Sequence, residues 1–354
     1  MQKRVGILLV ITIFITLLYV LSLSAKINPT IKWSIENNNV LDAFWMENSE
    51  IIGILEGKKI TAMDLEQNVL WDREFVQPWF YTTLLKKMII YSPDEKIQLY
   101  SPLDGSVVSE INFDGKQVRF SRGFDGIIGI GEKKSNVVQL RVFDSSGKVL
   151  WQTTYDSLEL SYVLPGGRVL VGKTTNHESK EIEIHLITEE NRYKIQTIND
   201  PYLYSGENSL TGVTNKRSKN TILAVWSTPW WAIISETGEI INTGKDIFID
   251  KADHIESFGS GFAIASTVGR NLAVISENGA ILWTKEYAQH IESISGNANY
   301  LAVNLPGKIL IYNKSGELKG TLEVPTSLSS IKIADTSNRI IGISIYNRIQ
   351  IIEF

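Results

Sequence analysis

A twelve-residue unit recurs along most of this sequence and constrains its fold more than any other feature. The unit is clearest as LRVFDSSGKVLW at residues 140–151 and as LAVISENGAILW at residues 272–283, which align without a gap. Each copy reads as a strand, a tight turn and a second strand, because Gly accepts the positive φ of a hairpin turn and β-branched residues suit a pleated surface. Further copies occupy residues 60–71, 231–242 and 309–320, a copy with one extra turn residue occupies 97–108, and a weaker copy occupies 185–196.

The turns of these copies are evenly spaced, and their central residues are Gln67, Gly105, Gly147, Asn191, Gly238, Gly279 and Gly316. The strand at residues 31–35 resembles the second half of a unit, and its missing turn aligns with Pro29. From Pro29 to Gly316 the chain makes seven steps with a mean of 41 residues. That spacing is the period of a four-stranded β-propeller blade.

The two ends of the repeat array complement each other. The strand at 31–35 is a second half without a first, and the strand at 348–354 is a first half without a second. Left unpaired, both strands would present open edges, which proteins usually avoid. We therefore predict an all-β fold, a β-propeller of eight four-stranded blades that is closed by pairing 31–35 with 348–354. Seven blades is the alternative, because residues 202–220 are irregular and the weak copy at 185–196 would then be an embellishment.

An uncharged apolar segment at residues 5–25 precedes the repeats. A helix of that length spans about 31 Å, enough for a hydrocarbon core of about 30 Å. Lys3 and Arg4 before the segment favour a cytoplasmic N-terminus. The residues SLSA at 22–25 also suit signal-peptide cleavage, so the sequence leaves both an anchor and a cleaved signal open.

These features divide the chain into four parts. We predict a short cytoplasmic N-terminus at 1–4, a transmembrane anchor at 5–25, a linker at 26–30 and a propeller ectodomain at 31–354. The predicted localisation is the cell membrane, single-pass, with the propeller on the extracytoplasmic side, or secreted if the segment is cleaved. The predicted partners are the membrane, through the N-terminal helix, and another envelope protein.

The charge of the ectodomain excludes one class of partner. The chain has 35 lysines and arginines against 39 acids; without Lys3, Arg4 and Lys26, 32 basic residues remain, a net charge of −7. General binding to nucleic acid relies on neutralising phosphates with Lys and Arg. We therefore expect no nucleic-acid partner.

The stretch DSSGKVLW at 144–151 and the Leu-Trp ends at 71 and 283 resemble the tryptophan-docking repeats of the quinoprotein-like β-propeller family. The resemblance covers residues 31–354 as a repeat pattern, although those repeats more often have one further turn residue. In that family the tryptophan of each blade packs on the neighbouring blade. The resemblance therefore implies a structural, blade-docking role for Trp33, Trp71, Trp151 and Trp283. The family includes quinone-dependent dehydrogenases and non-enzymatic members such as the outer-membrane assembly lipoprotein.

Catalytic chemistry has little support in the sequence. The enzymes of the family commonly cap their cofactor with adjacent cysteines and bind calcium, but this chain has no cysteine and no compact calcium-binding loop. Its four histidines, at 177, 185, 254 and 290, lack metal-ligand spacing. We expect no cofactor, no metal and no catalytic residue, and we interpret the chain as a non-enzymatic, envelope-type member of the family.

Exposed aromatic residues are the best candidates for a binding surface. Trp226 and Trp230 flank a Pro-containing connection, Trp79 follows the first complete unit, and Tyr204 lies in the longest irregular insertion. Large aromatics on loops of a rigid scaffold suit a protein partner or a stacked sugar, although large aromatics more often pack between blades. The sequence favours a non-catalytic interaction or assembly scaffold. An extracytoplasmic enzyme or a ligand or glycan sensor with a site in the axial funnel is the alternative function.

Overall fold

The computed structural model describes residues 26–354 with short gaps, and every regular element within them is a β-strand. The gaps are residues 37–38, 47–49, 75–82, 86–87, 92–95, 113–115, 122–127, 135–136, 145, 156–159, 165–166, 177–180, 200–210, 215–220, 226–229, 236–238, 246–253, 267–269, 326, 345 and 347. The prediction of an all-β fold is confirmed for the described residues. The predicted span at 5–25 lies outside the described residues, and from Lys26 onward the described part of the chain contains no helix that could cross a membrane.

The strands form eight four-stranded antiparallel sheets, here numbered 1 to 8 in chain order. Strand β1 (Thr30–Glu36) belongs to the last sheet. Sheets 1 to 4 contain β2 (Val40–Met46), β3 (Ile51–Glu56), β4 (Lys59–Met63) and β5 (Val69–Glu74); β6 (Thr83–Leu85), β7 (Met88–Tyr91), β8 (Lys96–Tyr100) and β9 (Val107–Asn112); β10 (Lys116–Ser121), β11 (Ile128–Lys134), β12 (Val137–Phe143) and β13 (Val149–Tyr155); and β14 (Leu160–Leu164), β15 (Arg168–Asn176), β16 (Glu181–Ile187) and β17 (Arg192–Asn199).

The second half of the chain repeats this plan. Sheets 5 to 8 contain β18 (Thr211–Thr214), β19 (Thr221–Val225), β20 (Trp230–Ser235) and β21 (Ile240–Lys245); β22 (His254–Phe258), β23 (Gly261–Ser266), β24 (Asn271–Ser276) and β25 (Ile281–Glu286); β26 (Ser293–Gly296), β27 (Tyr300–Leu305), β28 (Lys308–Asn313) and β29 (Leu318–Glu323); and β30 (Leu328–Ile333), β31 (Arg339–Ser344) and β32 (Arg348–Glu353), with β1 as its fourth strand.

The last sheet joins the two ends of the described chain. Its strand order is β1-β32-β31-β30, and β1 pairs with β32 from Thr30↔Glu353 to Glu36↔Arg348. The strand from the N-terminal part therefore occupies the fourth position, which in the other sheets is filled by the strand that follows in sequence.

Each sheet is a meander, so its turns separate into two ends. The turns between strands 1 and 2 and between strands 3 and 4 lie at one end, which we call the turn face. The turns between strands 2 and 3, and the connections to the next sheet, lie at the other end, which we call the link face. The twelve-residue units of the sequence are strands 3 and 4 with their turn, for example β12 and β13 in sheet 3.

The turns between strands 3 and 4 have the conformation that their glycines suggest. Gly105, Gly147, Gly279 and Gly316 all have positive φ, between 65° and 82°, and Gln67 has φ 70° at the equivalent position. Asn191 is not among the described residues with positive φ, so the turn of sheet 4 has a different conformation.

The pairing of strands 3 and 4 is interrupted by a register shift in all eight described sheets. In sheet 1 the shift leaves Leu70 between Val69↔Met63 and Trp71↔Ala62. Such a bulge bends an edge strand and blunts it against pairing with another chain. It also leaves two apolar side chains exposed at the start of strand 4 in five sheets, at Val69 and Leu70, Val107 and Val108, Val149 and Leu150, Ile240 and Ile241, and Ile281 and Leu282.

The hydrophobic core lies between consecutive sheets. Clusters of buried Ile, Leu, Val and aromatic residues join sheets 1 and 2, 3 and 4, 5 and 6, 6 and 7, and 7 and 8. A further cluster joins Ile341, Ile349 and Ile351 of sheet 8 to Ile52 and Ile54 of sheet 1. Each fully buried aliphatic side chain of this kind contributes roughly 1.5–3 kcal/mol to folding. The last sheet thus packs on the first.

Candidate functional site

The tryptophans near the start of the fourth strands donate hydrogen bonds to the next sheet. The Nε1–H of Trp33 donates to the carbonyl of Leu65 at 3.0 Å, that of Trp71 to Pro102 at 2.7 Å, and that of Trp283 to Lys314 at 2.9 Å. All three acceptors lie in the turn between strands 3 and 4 of the following sheet, at the same position of the repeat. The contacts therefore align the turn faces of successive sheets.

Trp151 makes a different contact. Its Nε1–H donates at 2.9 Å to the carbonyl of Gly167, in the turn between strands 1 and 2 of sheet 4, and its ring is buried among Val142, Val169 and Val171. The usual acceptor turn of sheet 4, residues 188–191, contains no glycine. The weak copy of the repeat thus coincides with a changed docking contact.

Two of the turn glycines lie directly against the docked rings. A Cβ built on Gly105 would lie 2.8 Å from the Trp71 ring, and one built on Gly316 would lie 2.8 Å from the Trp283 ring. These distances are shorter than any ordinary carbon–carbon contact, so a side chain at either position requires the indole to move. The glycines are needed both for positive φ and for close approach.

Two residues at the tryptophan position of other sheets make equivalent contacts that the sequence analysis did not assign. Ser109 Oγ donates to the carbonyl of Ser146 at 2.8 Å, and Asn242 Nδ2 donates to that of Asn278 at 3.1 Å. In sheet 7 the position is Gly320, which lies against Ile27 and Pro29. Their place in the repeat frame was the signal that could have identified them.

The segment before β1 replaces a turn. The backbone N–H of Ile27 donates to the carbonyl of Lys319 at 2.7 Å, and Pro29 is buried next to Gly320. Residues 26–29 therefore occupy, against sheet 7, the place that a turn between strands 3 and 4 occupies elsewhere. This agrees with the alignment of the missing turn at Pro29.

The first strands of the sheets lie next to one another, and an ion pair joins the last to the first. Lys332 Nζ of β30 lies 2.7 Å from both Asp42 carboxylate oxygens of β2 and donates to the carbonyl of Ala43 at 2.8 Å. Trp45 Nε1–H donates to the carbonyl of Lys332 at 2.8 Å. The charges are thus directed at each other across the junction between sheets 8 and 1. No sequence pattern identified this pair.

A second polar cluster lies in sheet 4. The buried imidazole of His185 contacts the Glu183 carboxylate at 3.0 Å and receives a hydrogen bond from Arg192 Nε at 3.3 Å. Burial lowers the pKa of His185, and the opposing hydrogen bond to Glu183 only reduces that effect. The hydrogen bond from Lys194 lowers the pKa of Glu183. The cluster is an ionic network within one sheet.

Metal-ligating side chains do not converge within the part of the chain that the structure describes. No group of three or more His, Cys, Asp or Glu residues there could hold a metal ion. His254 begins β22, His290 pairs with Glu292 at 2.7 Å, and His177 lies outside the described residues.

The predicted aromatic binding residues fall in or next to the gaps of the description. Trp79, Tyr204 and Trp226 lie outside the described residues, and Trp230 is described only through its backbone, which pairs with Lys245. The described strands that flank them still locate their segments. Each segment joins strand ends on the link face: β5 to β6 for Trp79, β17 to β18 for Tyr204, and β19 to β20 for Trp226 and Trp230.

This topology divides the four residues into two groups. Tyr204, Trp226 and Trp230 belong to sheet 5 or to the connection leading into it. Trp79 belongs to the connection between sheets 1 and 2, with sheets 2, 3 and 4 between it and the others.

The fold of these sheets is that of a β-propeller, and comparison with solved structures supports this assignment. The C-terminal WD40 domain of Sif2 aligns with a TM-score of 0.65 at 12% identity, covering 93% of this chain and 99% of that domain. BamB from Moraxella catarrhalis aligns with a TM-score of 0.60 at 12% identity, covering 92% of this chain and 100% of BamB. The β-propeller domain of Cps50 (Swd1) from Myceliophteria thermophila aligns with a TM-score of 0.59 at 12% identity, covering 92% and 99%.

No protein-family model matches the sequence, and no curated protein matches it. At this low identity the similarity establishes the fold alone. The prediction of a β-propeller is confirmed at that level, and the quinoprotein-like assignment stays a prediction.

Proposed function

We propose that this chain is a membrane-anchored, extracytoplasmic β-propeller that acts as a non-catalytic protein-interaction scaffold in the cell envelope. In this proposal the eight sheets are the eight blades of one ring, closed by β1 and β32, and residues 5–25 are the anchor. The tryptophan repeats make it a quinoprotein-like member whose Trp33, Trp71, Trp151 and Trp283 dock blades.

The observation that carries the proposal is the placement of the aromatic connections. The segments of Tyr204, Trp226 and Trp230 all join strand ends on the link face at sheet 5. The segment before β1 joins the opposite face, at residues 26–29. An anchored propeller would therefore direct the link face away from the membrane, where a partner in the envelope can reach it. Rigid scaffolds commonly bind through such loops, with Trp and Tyr as energetic centres.

The alternative, an enzyme or ligand sensor in the axial funnel, requires charged groups directed toward a common ligand. The ion pair on the described first strands, Asp42 with Lys332, instead satisfies its charges mutually and with the carbonyl of Ala43. That geometry favours a role in joining sheet 8 to sheet 1.

In-cell photo-crosslinking tests the scaffold proposal. A photoreactive amino acid replaces Trp226, Trp230 or Tyr204 in the full chain, and the matched control replaces Tyr346, which is exposed on the link face of sheet 8. We expect the same discrete adduct from the sheet 5 positions and none from position 346. Trp230→Ala should then abolish the adduct formed from position 226. Equal adducts from position 346, or none at any sheet 5 position, would contradict the proposal.

A further inference from the structure

The edge of the turn face where the chain enters sheets 7 and 8 combines exposed apolar side chains with lysines. We call residues Lys26, Ile31, Lys32, Lys314 and Leu318 the seam edge. Ile31 and Leu318 are 36% and 46% exposed, and Lys26, Lys32 and Lys314 are exposed as well. Lys32 pairs with Glu353 at 3.3 Å, and Glu353 also pairs with Arg339 at 2.9 Å, so these three side chains together carry one net positive charge. In five other sheets the start of strand 4 carries two exposed apolar residues; here the second is a lysine, Lys32 or Lys319.

The chain between the proposed anchor and its first contact with the propeller is very short. The proposed anchor ends at residue 25, and Ile27 is already hydrogen-bonded to Lys319 of sheet 7. An extended chain spans at most about 3.6 Å per residue, so Ile27 lies within roughly 7 Å of the end of the anchor. The polar headgroup layer on each side of a bilayer is itself about 5–8 Å thick. The linker is therefore no longer than the headgroup layer is thick, so the seam edge lies in that layer or directly next to it.

The distribution of acidic turns limits which part of the turn face can approach lipid. The turn of sheet 4 exposes Glu189 and Glu190, and that of sheet 1 exposes Glu66. Carboxylates are repelled by the negative surface potential of anionic lipid, whereas each lysine near such a surface contributes about 1 kcal/mol of attraction. The turn of sheet 7 holds Lys314, whose stem packs near Gly259, and a single acid, Glu317, which pairs with Lys319.

We infer that the seam edge is a bilayer-contact surface that seats the propeller on anionic lipid headgroups, with Ile31 and Leu318 at the level of the acyl boundary. This inference rests on the proposed anchor. It orients the propeller with sheets 7 and 8 against the membrane, the acidic turns of sheet 4 tilted away, and the link face directed outward.

Site-specific fluorescence on the full chain tests this surface. Because the sequence contains no cysteine, single-cysteine variants can carry a polarity-sensitive dye without other changes. The test positions are Ile31→Cys and Leu318→Cys. The matched controls are Ile240→Cys, an apolar residue at the same strand position on the distant sheet 5, and Tyr346→Cys on the link face of sheet 8. The probe is a phosphatidylcholine–phosphatidylglycerol vesicle with lipids brominated along the acyl chains.

We expect blue-shifted emission and quenching by brominated lipid at positions 31 and 318, and neither effect at positions 240 and 346. If the protein floats with the vesicles but positions 31 and 318 are not quenched, the contact surface is wrong while the anchor stands. If the full chain does not float with the vesicles, the anchor proposal fails and this inference with it. Equal quenching at all four positions would overturn the inference in favour of non-specific adsorption. A blue shift in detergent that disappears on dilution would overturn it in favour of contact with a second copy of the chain.

Discussion

The tryptophan–glycine contact is the residue-scale unit of this propeller. An indole donates to a turn carbonyl of the next sheet, and a glycine of that turn gives it room, as Trp283 does with Lys314 and Gly316. A second glycine, Gly307, has nearly the same φ, 80° against 78°, but nothing lies within 4 Å of a Cβ built on it. Substitutions at the two glycines therefore distinguish the cost of positive φ from the cost of a clash with the indole ring.

Replacing each glycine by alanine should give unequal losses of stability. Gly307→Ala should cost about 1–2 kcal/mol, the cost of the left-handed conformation for an L-residue. Gly316→Ala should cost a further 1–3 kcal/mol or so, because the methyl group overpacks against the Trp283 ring. Denaturant unfolding of both variants measures the difference. In a Trp283→Ala background the difference should fall below about 0.5 kcal/mol; if it does not, the indole is not the obstacle.

His185 should make the stability of the fold depend on pH. Burial lowers its pKa in the folded state from the ordinary value of 6.5, so the unfolded chain binds the proton more readily. The stability that neutral His185 provides is present above pH 6.5 and is lost as pH falls toward the folded-state pKa. His185→Gln should flatten the decline in unfolding free energy between roughly pH 7.5 and 5.5. Denaturant melts across that range measure it, with His290→Gln as the matched control; an unchanged slope in His185→Gln would refute the assignment.

At the scale of elements, the sequence was most informative for strands 3 and 4. The turn residue and the following apolar pair recur because every fourth strand bulges, and in most sheets it also docks a side chain on the next sheet. Strands 1 and 2 share no repeated sequence pattern from sheet to sheet, because their side chains pack against the particular sheets on either side. For this reason β18 (Thr211–Thr214) lay hidden in a segment that read as irregular, residues 202–220. Asn191 similarly read as a turn residue equivalent to glycine, but it lacks positive φ.

The residues of the candidate site also differ in whether the sequence could predict them. The docking tryptophans were predictable because each sits at a fixed place in the repeat. Asp42 and Lys332 were not, because 290 residues separate them and only the meeting of sheets 8 and 1 brings them together. The exposed seam edge likewise depends on where residues 26–29 pack against sheet 7, which no local pattern specifies.

At the scale of the whole molecule, β1 decides whether the last sheet has a fourth strand. It pairs with β32 from Thr30 to Glu36, with one bulge between Ile31 and Trp33, and adds Trp33 and Ile35 to the core between sheets 8 and 1. A chain of residues 38–354 would leave the β32 edge unpaired and part of that core exposed. Uncovered edges of this kind pair with other chains.

We expect residues 26–354 to be monomeric and to unfold cooperatively, whereas residues 38–354 associate or lose cooperative unfolding. Light scattering with size-exclusion chromatography gives the mass, and denaturant melts give the cooperativity. Adding a peptide of residues 26–36 should restore the monomer, because it supplies the missing strand. A monomeric, cooperative 38–354 chain would show that β1 is dispensable for the fold.

The shared last sheet also sets an order of events during synthesis. Lys32 and its partner Glu353 are 321 positions apart, so β1 leaves the ribosome among the first strands and its partner strand among the last. At roughly 5–20 residues per second, β1 waits about 15–65 seconds for β32. Throughout that interval the apolar side chains of β1 lack the neighbours that they have in the folded chain, because the pairing of β1 with β32 can form only after β32 is made. A chaperone that holds extended strands would act on this protein in that interval.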